Sequence, residues 1–287
     1  MPEQIVSWPN GKRIAVLLSV LFETWSEGKG PGYFPRTTPL KSGTVDHGAI
    51  QWGQYGGNEG VWRLVRILDQ YDLRGTVFCS GRSAELYPEA IRQMVRSGHD
   101  IAGHGYTQDV VFSYLTPQEQ RASIRKVLDG LERVSGHRPE GWATAVYGWD
   151  QHTFDLLVEE GVKWYADALD ISLPRRQKTK TGSIYGIPWS DFVDNRVLRG
   201  NPRDYFDVHK ETFDYLYAHE PMGLLHVAIH GHFGGRPLVA AMFLKLLEYL
   251  KGFEDVWFPR RRELIQWMGE QNIDGLSYSE RFFGAKT

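Results

Sequence analysis

Two histidines separated by one glycine end an apolar, strand-like segment near the C-terminal end of the chain, where Leu224–Ile229 precedes His230 and His232. Side chains two residues apart on a strand point to the same side, so both imidazoles would lie together if the strand continues. Active sites of α/β proteins collect at such strand ends. Imidazole transfers protons near neutral pH and binds metals. The pair therefore indicates an acid–base site or a metal site, whereas His226 is expected to be a core residue inside the strand.

Two further polar residues follow predicted strands in the same way. Glu23 comes soon after the apolar run Ile14–Leu21, and His104 stands between two glycines after the short strand 99–102. A carboxylate in this place acts as a general base or a metal ligand, or else it caps a helix or faces solvent. Flanking glycines leave room for a ligand near His104, although a structural histidine would look alike. We expect His104 to be functional and keep both interpretations of Glu23.

The long segment Ser26–Tyr55 adds a candidate in Asp46, next to His47. The segment is rich in Gly, Pro and Thr, and loops of this length are usually functional or interfacial. Asp46 either lines a pocket or anchors the loop. No phosphate-binding Gly-Lys-Ser/Thr follows the glycines at 56–60, and neither a Gly-x-Ser-x-Gly elbow nor a His-Glu-x-x-His motif occurs. These observations disfavour a nucleotide site, a serine nucleophile and a zincin-type metal site.

The elements that must position these residues alternate between strands and helices along the chain, which is typical of a parallel sheet covered by helices. About seven such units favour an α/β fold with a distorted (β/α) barrel, in one domain spanning residues 1–287. The predicted strands are Ile14–Leu21, Thr76–Phe78, His99–Ala102, Trp164–Asp167, Ile184–Trp189, Leu224–Ile229 and Val256–Phe258. The predicted helices are Glu59–Tyr71 with Asn58 as N-cap, Ser83–Ser97, one from the Thr116–Glu119 capping box to about Val134, one capped by Asp150, Pro237–Lys251 and Arg261–Met268.

Composition limits the function classes. The 287 residues are 41% hydrophobic and 24% charged, with a net charge of −2, which indicates a globular protein rather than one that binds nucleic acid or an acidic membrane. No apolar run approaches the length of a membrane span, and the N-terminus does not resemble a secretory leader, so we expect a cytoplasmic protein. The only cysteine, Cys79, excludes a disulfide within the chain and is expected to be a buried strand residue.

The order of these features resembles the polysaccharide deacetylase (NodB-homology, carbohydrate esterase family 4) superfamily. An acid follows strand one at Glu23, Arg74–Phe78 forms a strand, Gly103–Gly105 is a Gly-His-Gly motif, and the C-terminal strand ends in His230. The resemblance covers roughly residues 14–268 and implies a distorted (β/α) barrel that hydrolyses a C–N amide bond.

Two glycine-rich stretches resemble one subgroup of that superfamily, which includes allantoinase-like, cyclic-imide-hydrolase-like and cytoplasmic peptidoglycan-deacetylase-like proteins. They are Tyr55–Arg63 and His230–Pro237. Members of this subgroup are often homotetramers, so the resemblance implies a homo-oligomer, with a tetramer favoured.

The chain departs from the superfamily's metal site, which uses an Asp and a His-Ser/Thr-x-x-His pair. Gln108 stands where the second histidine is expected, and Thr24 where a second carboxylate is expected. The Arg-x-Pro-Tyr motif is replaced in the segment 142–147. Glu23 and His104 remain as metal ligands, with Asp46 or a loop histidine as a substitute third ligand. A bound divalent metal (zinc, manganese or nickel) and a metal-free site are both compatible with these replacements.

The resemblance and the residues together lead to one mechanistic hypothesis. Glu23 positions or deprotonates the attacking water, directly or through a metal, and His230 protonates the departing nitrogen. His104 binds the carbonyl oxygen or the metal. The expected substrate is a small-molecule amide, imide or ureide, cyclic ones included, and the remaining predicted substrate-binding residues are Trp25, His232 and Asp46. A metal-dependent N-deacetylase of an acetylated amino sugar and a non-catalytic ligand-binding protein are the alternatives.

Overall fold

A nine-stranded sheet forms the centre of the molecule, in the computed structural model, which describes residues 7–190, 192–275 and 277–283. The strands in chain order are β1 (Ile14–Phe22), β2 (Thr76–Cys79), β3 (Asp100–Gly103), β4 (Gly141–Trp142), β5 (Trp164–Ala168), β6 (Arg175–Lys178), β7 (Ser183–Pro188), β8 (Gly223–His230) and β9 (Val256–Trp257). Their order across the sheet is β6-β7-β5-β4-β3-β2-β1-β8, and β9 pairs with the start of β1. The curled sheet is a half-barrel, which confirms the α/β barrel prediction.

All seven predicted strands are present, with ends shifted by at most one residue. Two strands were not predicted. β4 has only two residues, which is too short to show a periodic pattern. β6 consists of four polar residues and forms an antiparallel hairpin with β7, whereas the other strand pairs are parallel. The parallel strands therefore number eight, which is consistent with the prediction of about seven.

Strand β1 is the central strand and explains the nearly continuous apolar run in the sequence. It lies between β2 and β8, and all nine of its residues are buried. A strand covered on both faces has no solvent side, so it does not alternate between polar and apolar residues. Its burial fixes the position at which Glu23 leaves the sheet.

Helices cover the outer face of the sheet. They are α1 (His47–Tyr55), α2 (Val61–Gln70), α3 (Gly81–Leu86), α4 (Pro88–Arg96), α5 (Pro117–Ser135), α6 (Thr153–Glu159), α7 (Asp204–His219), α8 (Pro237–Lys251), α9 (Arg261–Glu270) and α10 (Tyr278–Phe283). The capping box of α5 is confirmed, because the Thr116 side chain accepts from Glu119 N and the Glu119 side chain accepts from Thr116 N. No helix in the described part of the chain combines the length and apolarity needed to cross a membrane.

Two predictions near the start of α2 are wrong: the end of the predicted loop Ser26–Tyr55 is helical, and Asn58 lies inside a helical turn rather than at an N-cap. Helix α1 begins at His47 and continues through a π-helical turn at Gly56–Gly60 directly into α2. Glycine is needed in this turn because a Cβ on Gly60 would lie 1.8 Å from the carbonyl oxygen of Gly231. The helix backbone thus packs against the turn that follows β8, between His230 and His232.

Two other helices differ from prediction. The predicted helix Ser83–Ser97 is divided in two, since Pro88 lacks an N–H and begins α4. Helix α7 was not predicted, although Tyr205, His209 and Phe213 form a buried stripe at four-residue spacing on it. Its many aromatic and acidic residues hide this periodicity in the sequence.

Candidate active site

Glu23, His104 and His230 meet at the carboxyl edge of the sheet, as expected for residues at the ends of β1, β3 and β8. The register places Leu21 opposite His230, so Glu23 emerges beside the end of β8. Glu23 Oε1 lies 3.3 Å from His104 Nε2 and 3.6 Å from His230 Nε2. All three side chains are buried. The structure thus gathers a carboxylate and two imidazoles around one point.

Asp194 holds His230 from the opposite side of its ring. Its carboxylate accepts hydrogen bonds from His230 Nδ1 at 2.5 Å and from the His230 backbone N–H at 3.0 Å. Burial alone would lower the pKa of His230, but the negative charges of Asp194 and Glu23 outweigh it and raise the pKa to about 9. His230 is therefore an imidazolium at neutral pH, with Nε2–H directed to the Glu23 side.

Asp194 was not found by sequence reasoning. It is fully buried at the start of a short 3₁₀ helix, Asp194–Val197, in the connection between β7 and α7. Gly234 leaves it room, since a Cβ there would lie 2.3 Å from Asp194 Oδ2. No motif marks the residue; the available signal was its place shortly after a predicted strand.

Glu23 is ionised despite its burial. Burial raises the pKa of a carboxyl group, but the positive charge of His230 and the hydrogen-bonding contact with His104 outweigh burial and lower the pKa of Glu23 to about 2. Glu23 and His230 therefore carry opposite charges across the same pH range. A carboxylate beside a proton-bearing imidazole is a suitable pair for water activation and proton donation.

His104 has a defined ring orientation. Its Nδ1 lies 3.0 Å from the carbonyl oxygen of Ala143, which can only accept, so Nδ1 carries a proton. Nε2 then faces Glu23 with a lone pair unless the ring is fully protonated. His104 can consequently donate to Glu23 or to a substrate oxygen only as an imidazolium.

The family's metal-ligand positions are filled by residues with other contacts. The Gln108 amide nitrogen donates to Ser80 Oγ at 3.0 Å and to the His104 carbonyl at 2.8 Å. Thr24 is buried and offers only a hydroxyl. His230 Nδ1 is occupied by its hydrogen bond to Asp194. Among the residues that the structure describes, no three His, Cys, Asp or Glu side chains form a group that could hold a metal ion. The residues present do not fit the family's metal site.

Asp46 does not join the site. Its side chain accepts from Ala49 N as the N-cap of α1 and pairs with Arg36. Both partners are part-exposed, and Asp46 lies outside the cavity described below. This corrects its prediction as a substrate-binding residue and as a third metal ligand; it anchors the loop, the other interpretation that the sequence allowed.

His232 lies behind Glu23 rather than in the cavity wall. Its ring contacts those of Trp25, Trp52 and Tyr33, with centroids 5.1, 5.0 and 5.9 Å away. His232 Nδ1 lies 3.8 Å from Glu23 Oε2. Burial lowers the pKa of His232 to about 3 against the opposing charge of Glu23, so the ring is neutral. His232 is thus a fixed neighbour of Glu23, outside direct reach of a substrate.

A cavity of about 710 Å³ opens onto these groups. Glu23, His104, His230 and Trp25 line it, and Tyr33 reaches it from the segment before α1. The other lining residues, which include several not found from the sequence, are Leu21, Gly30, Gly32, Gln108, Asp109, Ala143, Thr144, Val146, Tyr147, Asp167, Trp189, Val193, Asn195 and Arg196. This volume suits a small molecule.

Two features of the cavity wall indicate function. Asp167 on β5 is buried, and burial raises its pKa to about 6 against the hydrogen bonds from Thr144. Val146 and Tyr147, where the family's Arg-x-Pro-Tyr motif is expected, have φ of 51° and 54°. Left-handed backbone is rare for a β-branched residue such as valine, and such strain gathers at functional sites.

Comparisons with known proteins agree with this fold. The family profile described as Polysaccharide deacetylase matches residues 42–165. Peptidoglycan deacetylase-like protein FGM2 of Gibberella zeae is 33% identical over 89% of this chain and 70% of its own length. The Peptidoglycan deacetylase of Helicobacter pylori is 23% identical over 72% of this chain and 83% of its own.

The crystal structure of PuuE allantoinase superimposes with a TM-score of 0.79 at 28% identity, over 91% of this chain and 92% of that one. The match to FGM2 extends over most of both chains at an identity that establishes common family membership. The chain belongs to the polysaccharide deacetylase family and is a hydrolase of carbon–nitrogen bonds other than peptide bonds.

Proposed function

We propose that this chain hydrolyses the C–N bond of a small amide, imide or ureide, with Glu23 holding the attacking water and His230 protonating the departing nitrogen. The observation that carries the proposal is the opposite charge of the two groups: an ionised carboxylate lies 3.6 Å from an imidazolium that Asp194 holds by its other nitrogen. This arrangement provides an acceptor for the proton of water and a donor for the leaving group in one place.

Glu23 and His230 can accept and donate the protons that move in the proposed hydrolysis. The water oxygen bonds to the carbonyl carbon while its proton passes to Glu23, and the C–N bond of the tetrahedral intermediate then breaks as the nitrogen takes the Nε2 proton of His230. The site is then left with a protonated Glu23 and a neutral His230. The proton on Glu23 returns to His230 across their 3.6 Å separation, directly or through water.

The cavity supports a small substrate. Its volume of about 710 Å³ is close to that of sites for small ligands, and aromatic side chains form much of the wall. Trp25, Tyr147 and Trp189 provide flat apolar surfaces on which a planar ring or imide could pack. A structural relative over nearly the whole chain is an allantoinase, which is consistent with this substrate class.

A panel assay tests the proposal. Purified protein is incubated with allantoin, hydantoin, succinimide and N-acetylglucosamine, and ring-opened or deacetylated products are detected by mass spectrometry. We expect turnover of at least one of the first three, and a loss in kcat of about 100-fold or more in Glu23→Gln. Glu248→Gln on the exposed side of α8 is the matched control and should keep normal kcat. Normal hydrolysis by Glu23→Gln would refute the assignment.

The names of the two curated relatives favour a second candidate, removal of the acetyl group from an N-acetylated amino sugar. The same panel contains its substrate. Metal dependence separates the candidates, because the superfamily's deacetylase site binds a metal whereas the donor set here does not fit one. Acetate release that chelation abolishes and zinc restores would support the second candidate, and hydrolysis of a ureide or imide that chelation leaves within about twofold would support the first.

A further inference from the structure

Tyr33 reaches the catalytic carboxylate from the long segment between β1 and α1. Its hydroxyl oxygen lies 2.8 Å from His232 Nε2 and 3.5 Å from Glu23 Oε2, and its ring lines the cavity. Burial and the charges of Glu23 and Asp194 raise the pKa of Tyr33 well above its usual value of 10. A phenol hydroxyl carries its proton at neutral pH, so Tyr33 can donate a hydrogen bond there.

The direction of the two hydrogen bonds follows from the number of hydrogens. Glu23 is ionised and can only accept, and the Tyr33 hydroxyl has a single hydrogen. To make both contacts, Tyr33 must donate toward Glu23 and accept from His232, so the neutral His232 carries its proton on Nε2. The Trp25 and Trp52 rings hold the imidazole in that orientation. His232 thus binds the oxygen of Tyr33 and leaves its hydrogen directed into the site.

We propose that Tyr33 is a catalytic residue of this hydrolysis, whose hydroxyl donates a hydrogen bond to the carbonyl oxygen of the substrate and to the oxyanion that forms from it. The hydrogen bond from Tyr33 to Glu23 is long, at 3.5 Å, and therefore weak. A substrate oxygen that enters the cavity can replace Glu23 as the acceptor of this hydrogen. His230 donates to the leaving nitrogen in the proposed reaction, so Tyr33 provides a separate donor for the carbonyl oxygen.

The hydrogen bond from His232 strengthens this role. An N–H that donates to the phenol oxygen polarises the O–H bond and makes the hydroxyl a better donor. His232 therefore acts as a positioning residue for Tyr33, which gives a function to the second histidine of the His230–His232 pair. The catalytic role of Tyr33 rests on the proposed amide hydrolysis, whereas its contacts with His232 and Glu23 do not depend on that proposal.

Fluorotyrosines incorporated at position 33 test the role through the acidity of the hydroxyl. On a panel substrate that the wild type hydrolyses, Tyr33→Phe should lower kcat about 100-fold or more, as removal of one oxyanion donor does, with KM changed far less. Successively more acidic fluorotyrosines should change kcat in a graded series. A purely structural tyrosine would tolerate the same replacements without a trend, and Tyr71→Phe, which removes only a surface bond to Glu248, should keep normal kcat.

A ¹⁹F NMR measurement separates this inference from the proposed function, since it needs no turnover. 3-Fluorotyrosine at position 33 is observed in the Glu23→Gln protein while hydantoin or N-acetylglucosamine is added. We expect its resonance to shift on saturation with one of them and the shift to vanish for the matched label at position 71. An unshifted resonance with both compounds, or normal kcat in Tyr33→Phe, would overturn the inference; a shift without wild-type hydrolysis would overturn only the proposed function.

Discussion

Two ionisable side chains of this site have pKa values moved in opposite directions by their surroundings. Glu23 is lowered to about 2 and His230 is raised to about 9, although burial acts against the charged form of each. Asp194 is responsible for much of the second shift, because it is an unexposed carboxylate in contact with the imidazole. Groups whose environments separate their pKa values in this way divide the roles of base and acid.

Replacement of Asp194 by asparagine should therefore change the pH profile as well as the rate. In the wild type, the proton of His230 is present below pH 9 and is lost as the pH rises through about 9, so kcat/KM should fall on that side. Without the carboxylate, burial lowers the pKa of His230, and Asp194→Asn should lose activity at pH 8 and recover part of it at more acidic pH. Asp207→Asn on the exposed side of α7 is the control. An unchanged basic limb in Asp194→Asn would contradict the account.

Site residues that directly follow strands could be predicted from the sequence, whereas those in connecting loops could not. Glu23, His104, His230 and Trp25 line the cavity, and apolar runs in the sequence mark the strand ends beside them. Tyr33 and Asp194 lie in segments without periodicity, and their approach to the site depends on chain paths that no local pattern fixes. Asp46 was misplaced for the same reason: its neighbours in sequence do not show that it caps a helix.

At the scale of elements, the contact between the α1–α2 helix and the turn after β8 holds the histidine pair in place. Gly60 lies against Gly231 so closely that no side chain fits between the two backbones. The π-helical turn Gly56–Gly60 joins α1 to α2 at this contact and contains Gly60. The glycines at 56–60 are therefore a packing surface.

Matched glycine replacements test this contact. Gly60→Ala places a Cβ 1.8 Å from the Gly231 carbonyl oxygen, so the helix or the turn must move, and we expect a loss of about 2 kcal/mol or more in the free energy of unfolding together with reduced activity. Gly130→Ala in the middle of α5 meets nothing within 4 Å and should stabilise the protein by about 0.5–1 kcal/mol. Urea unfolding measures both. Equal effects in the two variants would rule out this explanation of Gly60.

The elements themselves were predictable to different degrees. A capping box and a run of apolar residues are local signals, and α5, α8 and β1 occur close to their predicted bounds. Strand β4 is two residues long, and β6 is a polar hairpin partner, so both depend on their neighbours in the sheet. Elements of this second kind are set by tertiary contacts, which a single sequence does not display.

At the scale of the whole molecule, the half-barrel has two apolar layers. One lies between the sheet and its helices, and the other fills the inside of the curl around Leu17, Phe78 and Trp164. Arg261 is fully buried within the inner layer, where it donates to Ser19 and His226. The inner layer supports the cavity, because Phe78 contacts both His104 and Trp189.

The single thiol reports on this packing. Cys79 is fully buried at the end of β2, and burial raises its pKa, so the reactive thiolate is scarce in the folded protein. We expect no labelling by iodoacetamide in native buffer and rapid labelling in denaturant, which the mass of the modified peptide would show. Rapid labelling of the native protein would mean that the sheet opens near β2.

The central claim is that His230 donates a proton to the leaving nitrogen. The dependence of kcat on the basicity of the leaving group tests this claim most directly. We would measure kcat of wild type and His230→Gln on a series of substituted anilides of one acid, verified first as substrates of the wild type. We predict that His230→Gln loses about 100-fold or more in kcat with the most basic leaving anilines and progressively less with nitro-substituted ones, which depart without protonation. An equal loss across the whole series would contradict the account, because His230 would then act on some other step.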